Sequence, residues 1–458
     1  MKKNEIGYLE KELKKSETKG YFVGLVVMLT IIYIVDELAS NMNSTMQPYM
    51  IYDLFKIPGA SALTDEYSAA VGTMTLLTLP NYLIMLLSPF YKSLADKFGR
   101  KMFLIINTAV MGLGLAICMI APNYIVYAIG ILVVLFVQTN DVQVMYIMES
   151  APAKHRAKVA SATKAIALVG VSLIGVAKTV FYDPSDLSSW RKVFIIPAVF
   201  GIAVALICIP LVKETPVFLT KKLKALKGEK EDEDTNEKKE DNNKGGVVNA
   251  LKYIFSNKQM RSITIAGIIF CLATGVTGYY ATILEVAGGN GAITPDQINR
   301  IVIFFPFING LVTFISGFLS DALGRKKACI LLSVFAVAGL ATFIFGAGLG
   351  FNEYVIGTAY GLFIGGLWSI CDTLVLVMPS ESTPTELRAS VIGTMALIMG
   401  VGMALSSILI AVGMNVVGSA NIGMLCFAMT VPFMLIAIFL ITKNVKETNG
   451  ADLTNIEM

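Results

Sequence analysis

Apolar residues along this chain gather in runs of about 20, the length a helix needs to cross the hydrocarbon core of a bilayer. Twelve such runs are legible, at 21–42, 68–91, 102–122, 124–148, 157–181, 191–212, 262–285, 298–319, 328–349, 354–378, 388–414 and 418–442. Two polar segments stand apart. The first 20 residues are charged and predict a short helix ahead of the first span. Residues 213–261 contain GEKEDEDTNEKKEDNNKGG, which mixes both charge signs with almost no apolar content and reads as a solvated linker. The expected molecule is an all-α membrane protein. It has an N-terminal segment 1–20, a six-helix bundle 21–212, the linker 213–261, a second six-helix bundle 262–442 and a tail 443–458.

Composition agrees with that pattern. Of 458 residues, 55% are hydrophobic and 15% charged, against about 25% charged in soluble domains. A net charge of +4 over this length makes no footprint for nucleic acid. The charge distribution sets an orientation. With the N-terminus cytoplasmic, the inner segments hold 31 of the 37 Lys and Arg residues; the outer loops hold Lys56, Arg191, Lys192 and Arg300, and Lys164 and Lys178 lie within the fifth span. Both termini are therefore expected inside, in the cell membrane. The six cysteines fall inside apolar runs without a CxxC pair, and the single histidine, His155, has no partners for zinc, so neither metal nor cofactor is expected. With no P-loop and no nucleophile elbow either, enzymatic activity is not expected. The partners expected are a small solute, protons and lipid, with a monomer as the working unit.

The two halves repeat. ADKFGRK at 95–101 returns as SDALGRK at 320–326, ESAPAKHRA at 149–157 as ESTPTELRA at 381–389, and KET at 213–215 as KET at 446–448. Each pair falls at the same span-relative place, which predicts two parallel-repeat bundles about an axis along the membrane normal. These motifs resemble the major facilitator superfamily over essentially the whole chain. Ser93–Lys101 is similar to its signature loop between spans two and three, without the usual leading glycine. Glu149, Pro152 and Arg156, with Glu381, Pro384 and Arg388, resemble the sugar-porter and organic-solute:proton branch more narrowly. The resemblance implies a cytoplasmic gate built from Asp96, Arg100, Glu149 and Arg156 and their counterparts Asp321, Arg325, Glu381 and Arg388. Charges at helix ends can pair across neighbouring helices in one conformation and part in another.

Charges inside the spans each need a reason, because a mid-helix charge costs roughly 2.5–3.5 kcal/mol on insertion scales. Asp36 and Glu37 lie in span one, Asp141 in span four, Lys164 and Lys178 in span five and Asp372 in span ten. Lys178 and Glu285 fall near outer helix ends, where snorkelling or solvation accounts for them. Asp141 and Lys164 both lie about 12 Å from the inner ends of an antiparallel hairpin, which predicts an ion pair. Asp372 occupies nearly the repeat position of Asp141 but has no local basic partner in sequence, which suits a proton carrier. Of Asp36 and Glu37, about 100° apart on one helix, one is expected to face the cavity, and the resemblance to proton-coupled sugar porters favours Asp36. The basic residue those porters carry in span four would fall near Ile129 here.

The sugar-porter resemblance also implies glutamines in spans five and seven and a tryptophan in span ten. Here the first position is Lys164, the second segment reads Cys271–Gly275, the third is Leu376, and Trp368 lies two turns earlier. A hexose site therefore looks dismantled. An ammonium in place of an amide favours a carboxylate, with Gln138, Gln143, Asn41, Tyr279, Tyr280 and Asn309 as orienting groups and Trp368 as an apolar wall. Gly357, Gly361 and Gly365 read as close-packing positions. The expected function is proton-coupled symport of a small carboxylate-bearing organic solute by alternating access, with Asp36, Glu37, Asp141 and Asp372 as proton-coupling candidates. The alternatives are proton-coupled efflux of organic cations or drugs, which the proline-free fifth span disfavours, and a membrane sensor that binds solute without moving it.

Overall fold

The computed structural model describes residues 2–16, 18–59, 62–84, 87, 91, 94, 98–138, 142–150, 156–227 and 247–449. Asp96, Asp141, His155, the linker centre 228–246 and the tail from residue 450 lie outside the described residues, as does the side chain of Arg156. Among the described residues every named element is a helix. Eleven helices are long and apolar enough to cross a membrane. The second span completes the twelve, and its Asp65–Thr78 and Pro80–Ile84 portions are described.

The packing repeats between halves. The third span, Arg100–Ile120, packs on the fourth, Tyr124–Gln138, and on the sixth, Ile195–Leu211. Its counterpart, the ninth, Arg325–Leu349, packs on the tenth, Glu353–Asp372, and on the twelfth, Ile422–Asn444. The fifth span (Arg156–Gly170 and Ser172–Phe181) meets the eighth (Pro295–Leu323) across the pseudo-axis, and the second meets the eleventh (Thr385–Val417). Small residues allow the close approach: a Cβ on Gly175 would lie 2.6 Å from Ile303, and one on Gly361 would lie 2.6 Å from Ile308. Gly357, Gly361 and Gly365 all face the eighth span as packing positions.

Spans one, seven and ten depart from simple rods beside the central cavity. The first is one helix from Lys19 to Leu54 and runs past its expected end at 42. Asn43–Pro48 reads as a loop by polarity, yet the helix continues through it with Pro48 inside. Ser40 donates to the Asp36 carbonyl at 2.6 Å and Thr45 to that of Asn41 at 2.7 Å, so these hydroxyls are satisfied within the helix. Pro48 has no N–H for the Ser44 carbonyl. The seventh span breaks into Lys258–Cys271, a tight turn Thr274–Gly278 and Tyr280–Gly289. Ser406 of span eleven bonds the break from the side, accepting from the Gly275 N–H at 2.9 Å and donating to the Leu272 carbonyl at 2.6 Å. Backbone freed at membrane depth must be satisfied in this way. The tenth helix widens into a π-helical turn, Thr373–Val377, immediately after Asp372; such turns concentrate at functional sites.

The terminal face carries more structure than a solvated linker. Helix Lys2–Ser16 packs on Pro216–Lys227 through buried Leu9, Leu219 and Leu223, with Glu10 and Lys227 at 2.8 Å. Val247–Ser256 buries Ala250, Tyr253 and Ile254. Both ends of 213–261 are thus helical, because apolar residues at helical spacing flank the charged centre.

Candidate functional site

A cavity of about 500 Å³ lies between the halves, of the size that holds a small metabolite. Its dominant feature is an ion pair across the pseudo-axis. Lys164 Nζ of span five donates to Asp372 Oδ2 of span ten at 2.8 Å, and 31% and 43% of these side chains remain exposed to the cavity. The lysine thus takes a partner from the other half; Asp141, the partner the span four–five hairpin suggested, lies outside the described residues. Asp372, locally partnerless in sequence, is partnered in space. The tenth helix ends at Asp372 and passes directly into the π turn, so the carboxylate sits where the backbone ladder changes register.

Asp36 and Glu37 both border the cavity, correcting the expectation of one. Asp36 is 4% exposed and accepts from Gln143 Nε2 at 2.8 Å. Gln143 is thereby a buried support for Asp36 rather than a lining group. Glu37 accepts from Asn41 Nδ2 at 3.4 Å. Among the described residues three carboxylates (Asp36, Glu37, Asp372) and one ammonium thus line the cavity. Gln138, Asn41, Asn309 and Trp368 line the same space. Tyr279 and Tyr280 do not line it: their hydroxyls bond Thr75 and Thr45 between the halves, and they are 3% and 1% exposed, although Tyr279 borders an adjoining cavity. Sequence reasoning missed Asn43, Ser44, Thr277 and Gly278, all lining residues. The glycine-interrupted run Thr274–Gly278 was a usable signal, since broken helices mark transporter sites.

On the face opposite the termini the halves are sewn together. Thr45 bonds Tyr280 at 2.6 Å, Thr282 donates to Gln47 at 3.1 Å, Thr75 bonds Tyr279 at 2.8 Å, and the Ser419 N–H donates to Ser68 at 2.7 Å. Tyr52 donates to Glu285 at 3.2 Å. Lys178 does not snorkel: it is 3% exposed, hydrogen-bonded to the Tyr49 hydroxyl and 3.9 Å from that ring's centroid. Glu285 of the other half lies within electrostatic reach of Tyr49 and Lys178.

On the terminal face the repeated charges form matching networks, each within one half. Arg100 pairs with Glu149 at 2.9 Å, and Thr215 donates to Glu149 at 2.6 Å. Arg325 pairs with Glu381 at 2.7 Å and Asp321 at 2.7 Å, and Thr448 donates to Glu381 at 2.6 Å. Arg388 contacts the Thr383 carbonyl at 3.4 Å. The repeated KET residues, given no role from sequence, anchor the helix starts. Glu214 accepts the N–H groups of Arg100 and Lys101 at 2.9 and 3.2 Å; Glu447 accepts those of Arg325 and Lys326 at 2.8 and 3.1 Å. Burial raises Glu214 above the ordinary glutamate range despite these donors. Burial also pushes Glu447 upward, but less, and backbone N–H groups of Asn449, Arg325, Lys326 and Thr448 hold it below that range.

Comparison with known proteins gives concordant results. The family model described as Major Facilitator Superfamily matches residues 29–407. The glucose transporter GlcP of Staphylococcus epidermidis is 24% identical over 389 residues, covering 80% of this chain and 83% of that protein. Among solved structures, a D-xylose-proton symporter superposes with a TM-score of 0.66 at 16% identity, covering 94% of this chain and 99% of the other. A bacterial homologue of the human lysosomal transporter Spinster, inward-facing and unoccupied, gives 0.61 at 15% identity, covering 93% and 95%.

Proposed function

The chain belongs to the major facilitator superfamily, and from that membership we propose that it is a proton-coupled symporter of a small carboxylate-bearing organic solute. The observation that carries this reading is the Lys164–Asp372 ion pair bridging the two halves inside the cavity. Among the described residues Lys164 is the one ammonium lining the cavity, whose other polar groups are acids, amides and hydroxyls set among apolar and aromatic side chains. A solute carboxylate competes with Asp372 for it, and Asp372 gives it up when protonated. Proton and solute then enter together, and the cavity gains no net charge, because H⁺ and RCOO⁻ cancel. With the pair broken, a direct tie between span five and span ten is lost, and the bundles can rock to the other access state. Asp36, held by Gln143, and Glu37 are further proton-coupling candidates. Gln138, Asn41, Asn309 and Trp368 orient the solute.

In this reading the terminal face is cytoplasmic and the Arg–Glu networks brace each half's helix ends as the cytoplasmic gate. The bonds on the opposite face form the outer seal, closed here.

A neutral sugar is the second reading, favoured by the sugar relatives above. Cation efflux is the third, favoured by three acids against one lysine in the cavity. A thermal-shift screen of the purified protein at about pH 5.5 and pH 7.5 separates them, since a ligand of the folded state raises its stability. Stabilisation by carboxylates, greater at low pH, supports the symport reading. Stabilisation only by sugars or only by bulky cations replaces it with the second or third.

A further inference from the structure

Beside the main cavity lies a second one of about 170 Å³, walled by spans one, two, seven, ten and eleven and sharing Asn43, Thr277, Gly278 and Trp368 with the first. Its chemistry is different. No charged residue lines it among the described residues; amides and hydroxyls do. Gln47, 5% exposed, uses its Oε1 to accept from Thr282 at 3.1 Å. Asn43 uses its Oδ1 to accept from Tyr127 at 3.2 Å. Each amide is thereby pinned by its oxygen, and its N–H donors remain for whatever fills the space. Thr78 donates to the Thr75 carbonyl at 2.8 Å and keeps its lone pairs as acceptors.

We propose that this side cavity is a subsite for a short polyhydroxylated chain, so that the solute is a hydroxylated monocarboxylate with its acid end at Lys164 and its hydroxyls among Gln47, Asn43 and Thr78. The inference rests on the carboxylate reading above. Hydroxyls both donate and accept, matching a wall of amide donors and hydroxyl acceptors. An apolar tail would strand the buried Gln47 donors, and a second charge would find no counter-charge.

The test is equilibrium binding to the purified full-length protein with three six-carbon probes: D-gluconate, hexanoate and D-glucose. The proposal expects gluconate to bind at least about tenfold tighter than hexanoate, a preference that two or three hydrogen bonds supply. Gln47→Met should cut that ratio below about threefold, and the isosteric Thr78→Val by roughly two- to threefold; a single cooperative apo melting transition in each establishes that both variants fold. A ratio near one in wild type, or a ratio untouched by both substitutions, overturns the subsite while leaving the carboxylate reading in place. If glucose binds as tightly as gluconate and Gln47→Met weakens both, the subsite stands and the carboxylate reading falls. Failure of both hydroxylated probes to bind overturns the subsite.

Discussion

Asp372→Asn should make the protein a tighter binder of carboxylates and remove its response to pH. At 2.8 Å, opposite unit charges through an effective dielectric of about 20 attract by roughly 6 kcal/mol. Lys164 and Asp372 keep 31% and 43% of their side chains exposed, so screening and desolvation reduce the net worth of the pair to about 1–2 kcal/mol. In wild type a solute must displace that carboxylate or bring a proton. Its apparent Kd therefore worsens by about tenfold per pH unit, the slope for one linked proton. Asparagine cannot compete as a charge. The variant should bind carboxylates roughly 5- to 30-fold more tightly near neutral pH, the affinity equivalent of the pair's worth, with a slope near zero. Titration calorimetry across about pH 5.5–8 measures both quantities. A tenfold-per-unit slope surviving in Asp372→Asn refutes the assignment and moves the proton to Asp36, Glu37 or Asp141.

Other perturbations test the neighbouring parts of the account. Lys164→Gln removes a charge-assisted hydrogen bond worth about 1.5–3 kcal/mol, so carboxylate binding should fall roughly 10- to 150-fold and binding of a matched amide far less; equal loss for both leaves Lys164 a structural residue. Glu285→Gln removes the carboxylate that acts on buried Lys178 and accepts from Tyr52, which should loosen the outer seal by about 1–2 kcal/mol. Ser44→Cys in that background should label several-fold faster with an impermeant maleimide added from outside. The native cysteines are buried, which keeps the background low, and an unchanged rate contradicts the seal. Glu447 is held below the ordinary glutamate range, so its stabilisation is present above that range and is lost as pH falls through its depressed value. Glu447→Gln should accordingly cost about 1 kcal/mol at neutral pH, and the gap to wild type should close in acid. Glu214 is raised, so its contribution is full below that range and fades as pH rises through its elevated value; Glu214→Gln should cost less than Glu447→Gln in neutral melting curves, and the reverse order refutes the electrostatic difference.

The span count, the repeat and the charged loop motifs were legible because a bilayer imposes long apolar runs and because the two halves carry the same short motifs. Arg100–Glu149 and Arg325–Glu381 join residues that the repeat had already aligned. The key pair was not legible in that way. Lys164 and Asp372 stand 208 residues apart on different bundles, and hairpin arithmetic can only nominate partners on adjacent helices. The same limit hid the bonds that Tyr279 and Tyr280 make to Thr75 and Thr45 of the other half. Span one was cut short because Asn43–Pro48 looks like a loop by hydropathy. A helix wall facing a polar cavity carries the same signature, and polarity alone cannot separate the two. The role of Glu214 and Glu447 escaped for a simpler reason: anchoring the start of a helix more than a hundred residues away leaves no local pattern.

The central claim is that a proton and a carboxylate share the Lys164–Asp372 pair and move together. Proteoliposomes loaded with a pH-sensitive dye, given a carboxylate that stabilises the protein, measure that directly. The account predicts lumen acidification when the carboxylate is added outside, none with its amide, and none in Asp372→Asn. Uptake of the solute without proton movement, or proton movement outward against an organic cation, would contradict it.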